Sequence, residues 1–430
     1  MLARIHQDGV IVTTAPPRAT TGSLWLIFVI AFLNLVGATI VMPVLPFITR
    51  RYVQDPAAVG LWIGILASSF SFCVLLSAPA FGKLSDRVGR KPVLFVSLIG
   101  SAIGFVVLGI GGAMWVLLLG RVIDGLTAGN AGAFMSYVAD VTPPEDRAKR
   151  FGLIGAIMGT GLMVGPAIGG SLAALYGPTA PMYFAAAVMT ITALLTLIIL
   201  PESLSAGCRT ARFSISDVHP FTAIADALKR ADLRPLLLLV LLLGIPMAGT
   251  QANISVFAVD VVRFGPTQIG VLLSALGVVN VIAQGGLLRI LLPRIGERRV
   301  VLLGLAGEGI GYVVLGVVGA IIHAPWLLAI GVLFWATAEA TTSPALTGLL
   351  SASVSGAEQG WLMGGLTSMN SAARIVGPLL AGLLYSGLGH SAPYWFGAIV
   401  VVAVMFLARP LLRVRSTAPL EGVAERTEGE

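Results

Sequence analysis

Arg121, Asp124, Glu308, Glu339 and Arg374 are ionisable side chains set deep inside long apolar runs of this sequence. A charge at the centre of a lipid bilayer costs about 2.5–3.5 kcal/mol on insertion scales, so such residues mark proton, ion or substrate paths. Arg121 and Asp124 are three residues apart, which puts them on one helix face, either as an internal ion pair or as part of a transport site. Glu339 follows Trp335 by one turn. An indole beside a carboxylate suits a lipophilic cation through cation–π and charge attraction, so Glu339 reads as a cavity residue, the alternative being a satisfied buried acid. Asn34, Gln251 and Asn370 also lie within apolar runs. Each is a candidate substrate contact, and each serves equally well as hydrogen-bonding glue between helices. The sequence holds no Ser/His/Asp constellation, nucleotide loop or metal-ligand spacing. The expectation is therefore no catalytic residue, no metal and no cofactor.

The elements that must carry these groups follow from composition. Of 430 residues, 57% are apolar and 11% charged, less than half the charge of an average soluble domain. The apolar residues come in blocks of about 20, enough to span a bilayer as a helix. A soluble enzyme is excluded, and so is a β-barrel, whose strands would alternate polar and apolar residues. Blocks fall near 23–49, 60–82, 92–112, 114–139, 151–175 and 180–200, then near 235–258, 268–288, 300–321, 326–349, 360–385 and 393–412. The reading is an all-α membrane protein with twelve transmembrane helices in two six-helix bundles, 23–200 and 235–412. A tail of 1–22, a linker of 201–234 and a tail of 413–430 complete the chain. The linker contains a possible short amphipathic helix from Pro220, suited to the membrane surface.

Basic residues test this topology. With both termini cytoplasmic, 22 of the 27 Lys and Arg fall on the cytoplasmic side and three (Arg50, Arg51, Arg263) on the other. This satisfies the positive-inside rule and accounts for the net charge of +7 without a nucleic-acid partner. The expected partners are the lipid bilayer, a small-molecule substrate and protons. The protein is expected to work as a monomer.

Several motifs carry a family likeness. Gly82-Lys83-Leu84-Ser85-Asp86-Arg87-Val88-Gly89-Arg90-Lys91 resembles the major facilitator signature G-x-L-x-D-R-x-G-R-[KR]. Gly161 through Gly170 (GLMVGPAIGG) resembles the G-x-x-x-G-P-x-x-G-G motif of that superfamily's proton-driven exporters. Arg121-Val122-Ile123-Asp124-Gly125 resembles its R-x-x-x-G motif, and Pro201-Glu202-Ser203 is also typical. Within the superfamily the chain is most similar to bacterial tetracycline exporters, in Met42-Pro43-Val44-Leu45-Pro46, Glu358-Gln359-Gly360 and the run to Gly377-Pro378-Leu379-Leu380. The loop Arg87-Val88-Gly89-Arg90-Lys91 recurs as Arg294-Ile295-Gly296-Glu297-Arg298, a sign of two duplicated bundles.

The resemblance implies a cytoplasmic latch. Asp86 would meet the N-terminus of span eleven, Arg87 or Arg90 would pair with Asp140, and Gly82 and Gly89 would allow close backbone approach. Gly161, Gly165 and Gly169 recur every four residues, and with Pro166 and Gly170 they predict a close helix interface, expected against span eight. Glu308 occupies the position of an acid that the exporters need in span nine. Two departures stand out: the exporters carry acids where this chain has Asn34 and Gly104. The implied function is proton-coupled export of a lipophilic small molecule (multidrug or antibiotic efflux) by alternating access, in a bacterial inner membrane. Glu308, Glu339 and Asp124 would couple protons; Asn34, Arg121, Gln251, Trp335, Glu339, Asn370 and Arg374 would contact substrate. Alternatives are a dedicated exporter of an endogenous metabolite such as a siderophore or sugar, and proton-coupled uptake.

Overall fold

The computed structural model describes residues 21–205, 209, 229, 234–352, 354 and 358–413, and within them the regular structure is helical, without strands. Eight helical stretches are long and apolar enough to cross a bilayer. The tails and the amphipathic segment expected from Pro220 lie outside the described residues. Helices dominate because a bilayer leaves no water to satisfy exposed backbone groups, so each spanning segment must bond its own N–H and C=O groups.

In chain order the helices are α1 (Thr21–Ile40), α2 (Leu45–Tyr52), α3 (Ala58–Val88), α4 (Arg90–Ile110), α5 (Met114–Thr127), α6 (Ala131–Val141), α7 (Arg147–Tyr176) and α8 (Ala180–Ile198). After the linker come α9 (Arg234–Val261), α10 (Pro266–Ile282), α11 (Leu288–Ala320), α12 (Pro325–Ser351), α13 (Gln359–Leu388) and α14 (Ala392–Arg413). The described residues of Met1–Gln54, Ser69–Pro220 and Gly265–Gly277 form one compact unit; those of Asp55–Ser68, Phe221–Phe264 and Val278–Glu430 form the other. In the first unit α4 packs on α5 and α8, and α1 on α7 and α8. In the second, α11 packs on α12 and α14, and α9 on α13 and α14.

Three features depart from the block pattern. The first block divides at Met42-Pro43-Val44, because Pro43 and Pro46 lack the N–H that a continuous helix needs; α2 begins with Pro46 in its first turn. The fourth block, 114–139, breaks between Thr127 and Ala131. Gly129 there lies against the Ala78 backbone, where a Cβ would come within 2.9 Å. Carbonyls near the break are taken up by hydroxyls: Ser77 donates to Gly125 O at 3.1 Å and Ser97 to Thr127 O at 2.5 Å. The stretch between spans eight and nine is helical on either side of a kink. A five-residue π segment, Ala283–Leu287, joins α10 to α11, and within Leu288–Ala320 two helices meet at a kink at Gly296 (φ 78°, ψ 158°).

Gly89 separates α3 from α4 with nearly the same backbone, φ 112° and ψ 162°. Only glycine adopts this region without strain, so the two repeated loop motifs turn on one backbone device.

The glycine stripe of α7 is close-packed, but against a different partner from the one expected. Gly161, Gly165 and Gly169 face α1: a Cβ at Gly161 would lie 3.1 Å from Leu35 Cβ, and one at Gly165 would run into Thr39 Oγ1 and the Val36 carbonyl. The contact with span eight uses the adjacent face, where Met163, Pro166 and Gly170 meet Gly270 and Gly277 of α10. The spacing of four was read correctly as a packing face, but two small faces lie side by side on this helix, and the spacing alone does not rank their partners. Gly155, on the same helix, would place a Cβ against nothing. Gly165→Ala therefore destabilises the protein by about 1–3 kcal/mol through overpacking, although alanine is the better helix former by about 1 kcal/mol. Gly155→Ala is neutral or stabilising. Thermal melting of the two purified variants in detergent checks the contrast, and equal midpoints would refute it.

Candidate functional site

The ionisable residues that the sequence sets deep in apolar runs gather in two places, one in each unit. In the first, Arg121 and Asp124 of α5 form an ion pair with Nη1 to Oδ2 at 3.2 Å. Asp124 is 4% exposed, and Ser101 of α4 hydrogen-bonds its carboxylate. The Arg121 guanidinium lies 4.5 Å from the centre of the Phe70 ring, a cation–π contact worth about 0.5–2 kcal/mol. Arg121 Nε is buried and has no hydrogen-bond partner among the described residues. The pair is thus compensated from three sides with one donor left over. Gly104 explains how α4 admits it: a Cβ at that position would lie 2.9 Å from Asp124 Cβ and from the Gly120 carbonyl. Where the resemblance implies an acid on span three, the carboxylate beside position 104 comes instead from span four. Asn34 is half-buried on α1.

The second place is a cavity of about 50 Å³ lined by Glu308 of α11 and Glu339 of α12, with Met247 of α9, Ser343 of α12 and Asn370 of α13 among its walls. A water needs roughly 10–15 Å³ by this measure, so the space admits a few waters or part of a small molecule. Glu308 is 7% exposed. Glu308 and Glu339 interact electrostatically, and Arg374 of α13 is the cation acting on Glu339. Arg374 itself is exposed on α13, one turn beyond Asn370. Two carboxyls therefore share one cavity, and a cation outside its lining acts on one of them.

Glycines let α12 approach this closely. A Cβ at Gly304 would strike Thr342 Oγ1, one at Gly307 would lie 3.0 Å from Ala338 Cβ, and one at Gly311 2.7 Å from Trp335 N. Glu308 stands on this same stripe. Thr342 donates to the Ala338 carbonyl at 2.7 Å and also faces Glu308. The spacing Gly304, Gly307, Gly311 was a visible small-residue signal, and the sequence reading passed over it. Trp335 does not line the cavity. It is 3% exposed and packed behind Glu339 against Gly311, because a residue four before Glu339 is drawn into the α11–α12 contact. Gln251 is exposed on α9 and is not part of the cavity wall either.

The motif around Asp86 builds a third cluster at the α3–α4 turn. Arg90, rather than Arg87, is the hub: its Nη1 donates to Asp86 Oδ1 at 2.5 Å and to Ser85 Oγ at 3.1 Å, and its Nε to Asp140 Oδ2 at 3.0 Å. Ser203 also donates to Asp140, at 3.0 Å. Glu202 accepts from the Arg90 and Lys91 backbone N–H groups at 2.8 and 3.2 Å, satisfying two of the orphan donors at the start of α4. Arg87 is exposed. Gly82 does not make the close approach expected of it, since a Cβ there would meet nothing within 4 Å. Ser85, Glu202 and Ser203 were read only as members of motifs and given no task, because isolated polar residues at helix ends carry no periodic signal.

The sequence profile described as Major Facilitator Superfamily matches residues 27–294 and 287–428. Among curated relatives, the tetracycline resistance protein, class E, of Escherichia coli is 33% identical over 392 residues, covering 90% of this chain and 94% of that one. The multidrug resistance protein 2 of Bacillus subtilis (strain 168) is 27% identical over 376 residues, covering 86% and 90%. Among solved structures, the nucleoside transporter NupG has a TM-score of 0.75 at 15% identity, covering 92% of this chain and all of that one, a likeness of fold alone. Helices long and apolar enough to cross a membrane, a relative 33% identical over most of both chains, and a profile match over nearly the whole length lead to one conclusion: the chain belongs to the Major Facilitator Superfamily and is a multi-pass membrane transporter, not an enzyme.

Proposed function

We propose that this transporter exports a lipophilic small molecule, a drug or antibiotic, in exchange for external protons. It works by alternating access as a monomer in a bacterial inner membrane. Twelve helices in two bundles, 23–200 and 235–412, cross the membrane with both termini cytoplasmic. The observation that carries the proposal is the cavity shared by Glu308 and Glu339 within membrane-crossing helices. A carboxyl in such a place is expensive to keep charged and can exist neutral by taking up a proton. It can therefore alternate between holding a proton and attracting the cationic part of a substrate. The tetracycline and multidrug resistance relatives favour efflux as the direction. Asn34 cannot carry a proton, so coupling falls to Glu308 and Glu339 with Asp124 in support. Asn370 contributes to substrate contact from the cavity wall and Arg374 from its edge; Arg121 offers its unpaired Nε.

The test is transport in proteoliposomes under an imposed pH gradient, with ethidium and tetracycline as probes. Glu308→Gln and Glu339→Gln each lower gradient-driven transport at least tenfold while leaving expression and melting behaviour near wild type. Full coupled transport in both variants would remove these residues from the mechanism. The Arg90 hub generates a second expectation, since two carboxylates and a serine are held by one planar guanidinium fork that lysine does not reproduce. Arg90→Lys slows gradient-driven transport roughly tenfold with a smaller change in half-saturating substrate concentration. A wild-type maximal rate would show that the network has no part in switching.

A further inference from the structure

The cavity shared by Glu308 and Glu339 presents polar atoms of mostly one kind. Its polar lining is two carboxyls, three hydroxyls and one amide, on Glu308, Glu339, Thr342, Ser343, Thr347 and Asn370. No lysine, arginine, histidine, tyrosine or tryptophan joins them among the described residues. A hydroxyl both donates and accepts, but two of these three direct their one proton elsewhere. Thr347 Oγ1 donates to the Ser343 carbonyl at 2.9 Å. Thr342 Oγ1 has a single proton for the Ala338 carbonyl at 2.7 Å and for Glu308, which it also meets. What both oxygens have left for a ligand is lone pairs. The carboxyls add four more oxygens and, when one proton is held between them, a single O–H. Only Ser343 and Asn370 supply further donors. This wall is therefore negative, rich in acceptors and short of donors. The rest of the lining is aliphatic, with Val240, Leu243 and Met247 of α9, Leu346 of α12 and Leu366 of α13. A bare inorganic cation gains nothing from that side, whereas an apolar body is stabilised there by leaving water.

We propose that this cavity selects lipophilic cations that carry N–H groups, protonated primary and secondary amines foremost, over quaternary ammonium ions of the same charge. The proposal deepens the export reading and rests on this cavity being the substrate site. A primary ammonium head offers three N–H donors to a Glu308 or Glu339 carboxylate and to the Thr342 and Thr347 oxygens. Hydrogen bonds of that charge-assisted kind are about twice as strong as neutral ones. A trimethylammonium head brings the same charge and no N–H, so it strips water from these oxygens and leaves them unpaired. Size acts in the same direction. In a space of about 50 Å³, where one water takes roughly 10–15 Å³, an ammonium head replaces a single water and three methyl groups must displace several. Ethidium, through its aryl amines, and tetracycline, through its protonated dimethylamine, keep N–H donors and stay within the class.

The probes are dansylcadaverine, a primary amine protonated at neutral pH, and its N,N,N-trimethyl analogue. Binding of each to the whole purified chain in detergent is read from dansyl fluorescence, and transport from efflux in proteoliposomes under an imposed pH gradient. The primary amine is expected to bind roughly tenfold tighter or more, the difference that lost hydrogen bonds to charged groups produce. Thr347→Val removes one acceptor and keeps the shape of the side chain. It is expected to weaken binding of the primary amine about threefold, as for one hydrogen bond, and to leave the quaternary ion unaffected. Equal affinities of the two probes for the wild type, or binding of neither, would overturn the proposal. So would a Thr347→Val variant that weakens both probes equally, or neither. A binding preference for the primary amine without pH-driven efflux of either probe would sink the export reading alone and leave the selectivity for N–H donors standing.

Discussion

A carboxylate inside a bilayer must be neutralised, paired or given water, and this chain does so in two contrasting ways. Asp124 is compensated on the spot: an arginine three residues away, a serine from the next helix, and an aromatic ring beneath the guanidinium. Breaking such a buried pair is costly because it strands a charge, which makes the arrangement a fixed one. Glu308 and Glu339 instead face a shared cavity, with Arg374 acting on Glu339 from an exposed position. A pair of acids in which the cation stands aside has room to change its protonation, whereas a closed ion pair has little. The two units thus differ physically: one holds its buried acid in a closed ion pair, and the other leaves two acids facing a shared cavity.

Both arrangements depend on the removal of side chains elsewhere. Helices normally pack 8–10 Å apart, and in lipid no hydrophobic force drives them closer, so small residues set which pairs touch. Gly104 lets α5 bring Asp124 against α4, and Gly304, Gly307 and Gly311 let α12 lie against the face of α11 that carries Glu308. In each case the acid sits in or beside the glycine contact. The same closeness that excludes lipid also brings Ser101 or Thr342 within reach of the carboxyl.

Much of this was legible in the sequence because its signals are local. The bilayer-length blocks, the Asp86–Arg90 motif, the Arg121–Asp124 spacing and the midspan positions of Glu308 and Glu339 all follow from residue types at fixed separations. What escaped depends on how one helix is turned toward another. Periodicity located the α7 stripe yet not its partner, since Gly161, Gly165 and Gly169 face α1 while the neighbouring Pro166 and Gly170 face α10. Trp335 and Glu339 share a face by spacing, but Glu339 opens on the cavity and Trp335 lies behind it. Glu202 was read as part of a motif without a task, because only the fold brings it to the first amides of α4.

The two repeated turns show why backbone signals outlast side-chain ones. Gly89 and Gly296 hold nearly the same unusual geometry, and any other residue at either position would be strained, so the turn tolerates little change. The residue that follows is under no such constraint. After Gly89 it is Arg90, which gathers Asp86, Asp140 and Ser85; after Gly296 it is Glu297, whose carboxylate lies beside Gly348 of α12. One backbone device thus carries a cation in one unit and an acid in the other. The same turn geometry therefore stands in both units while the charges mounted on it differ.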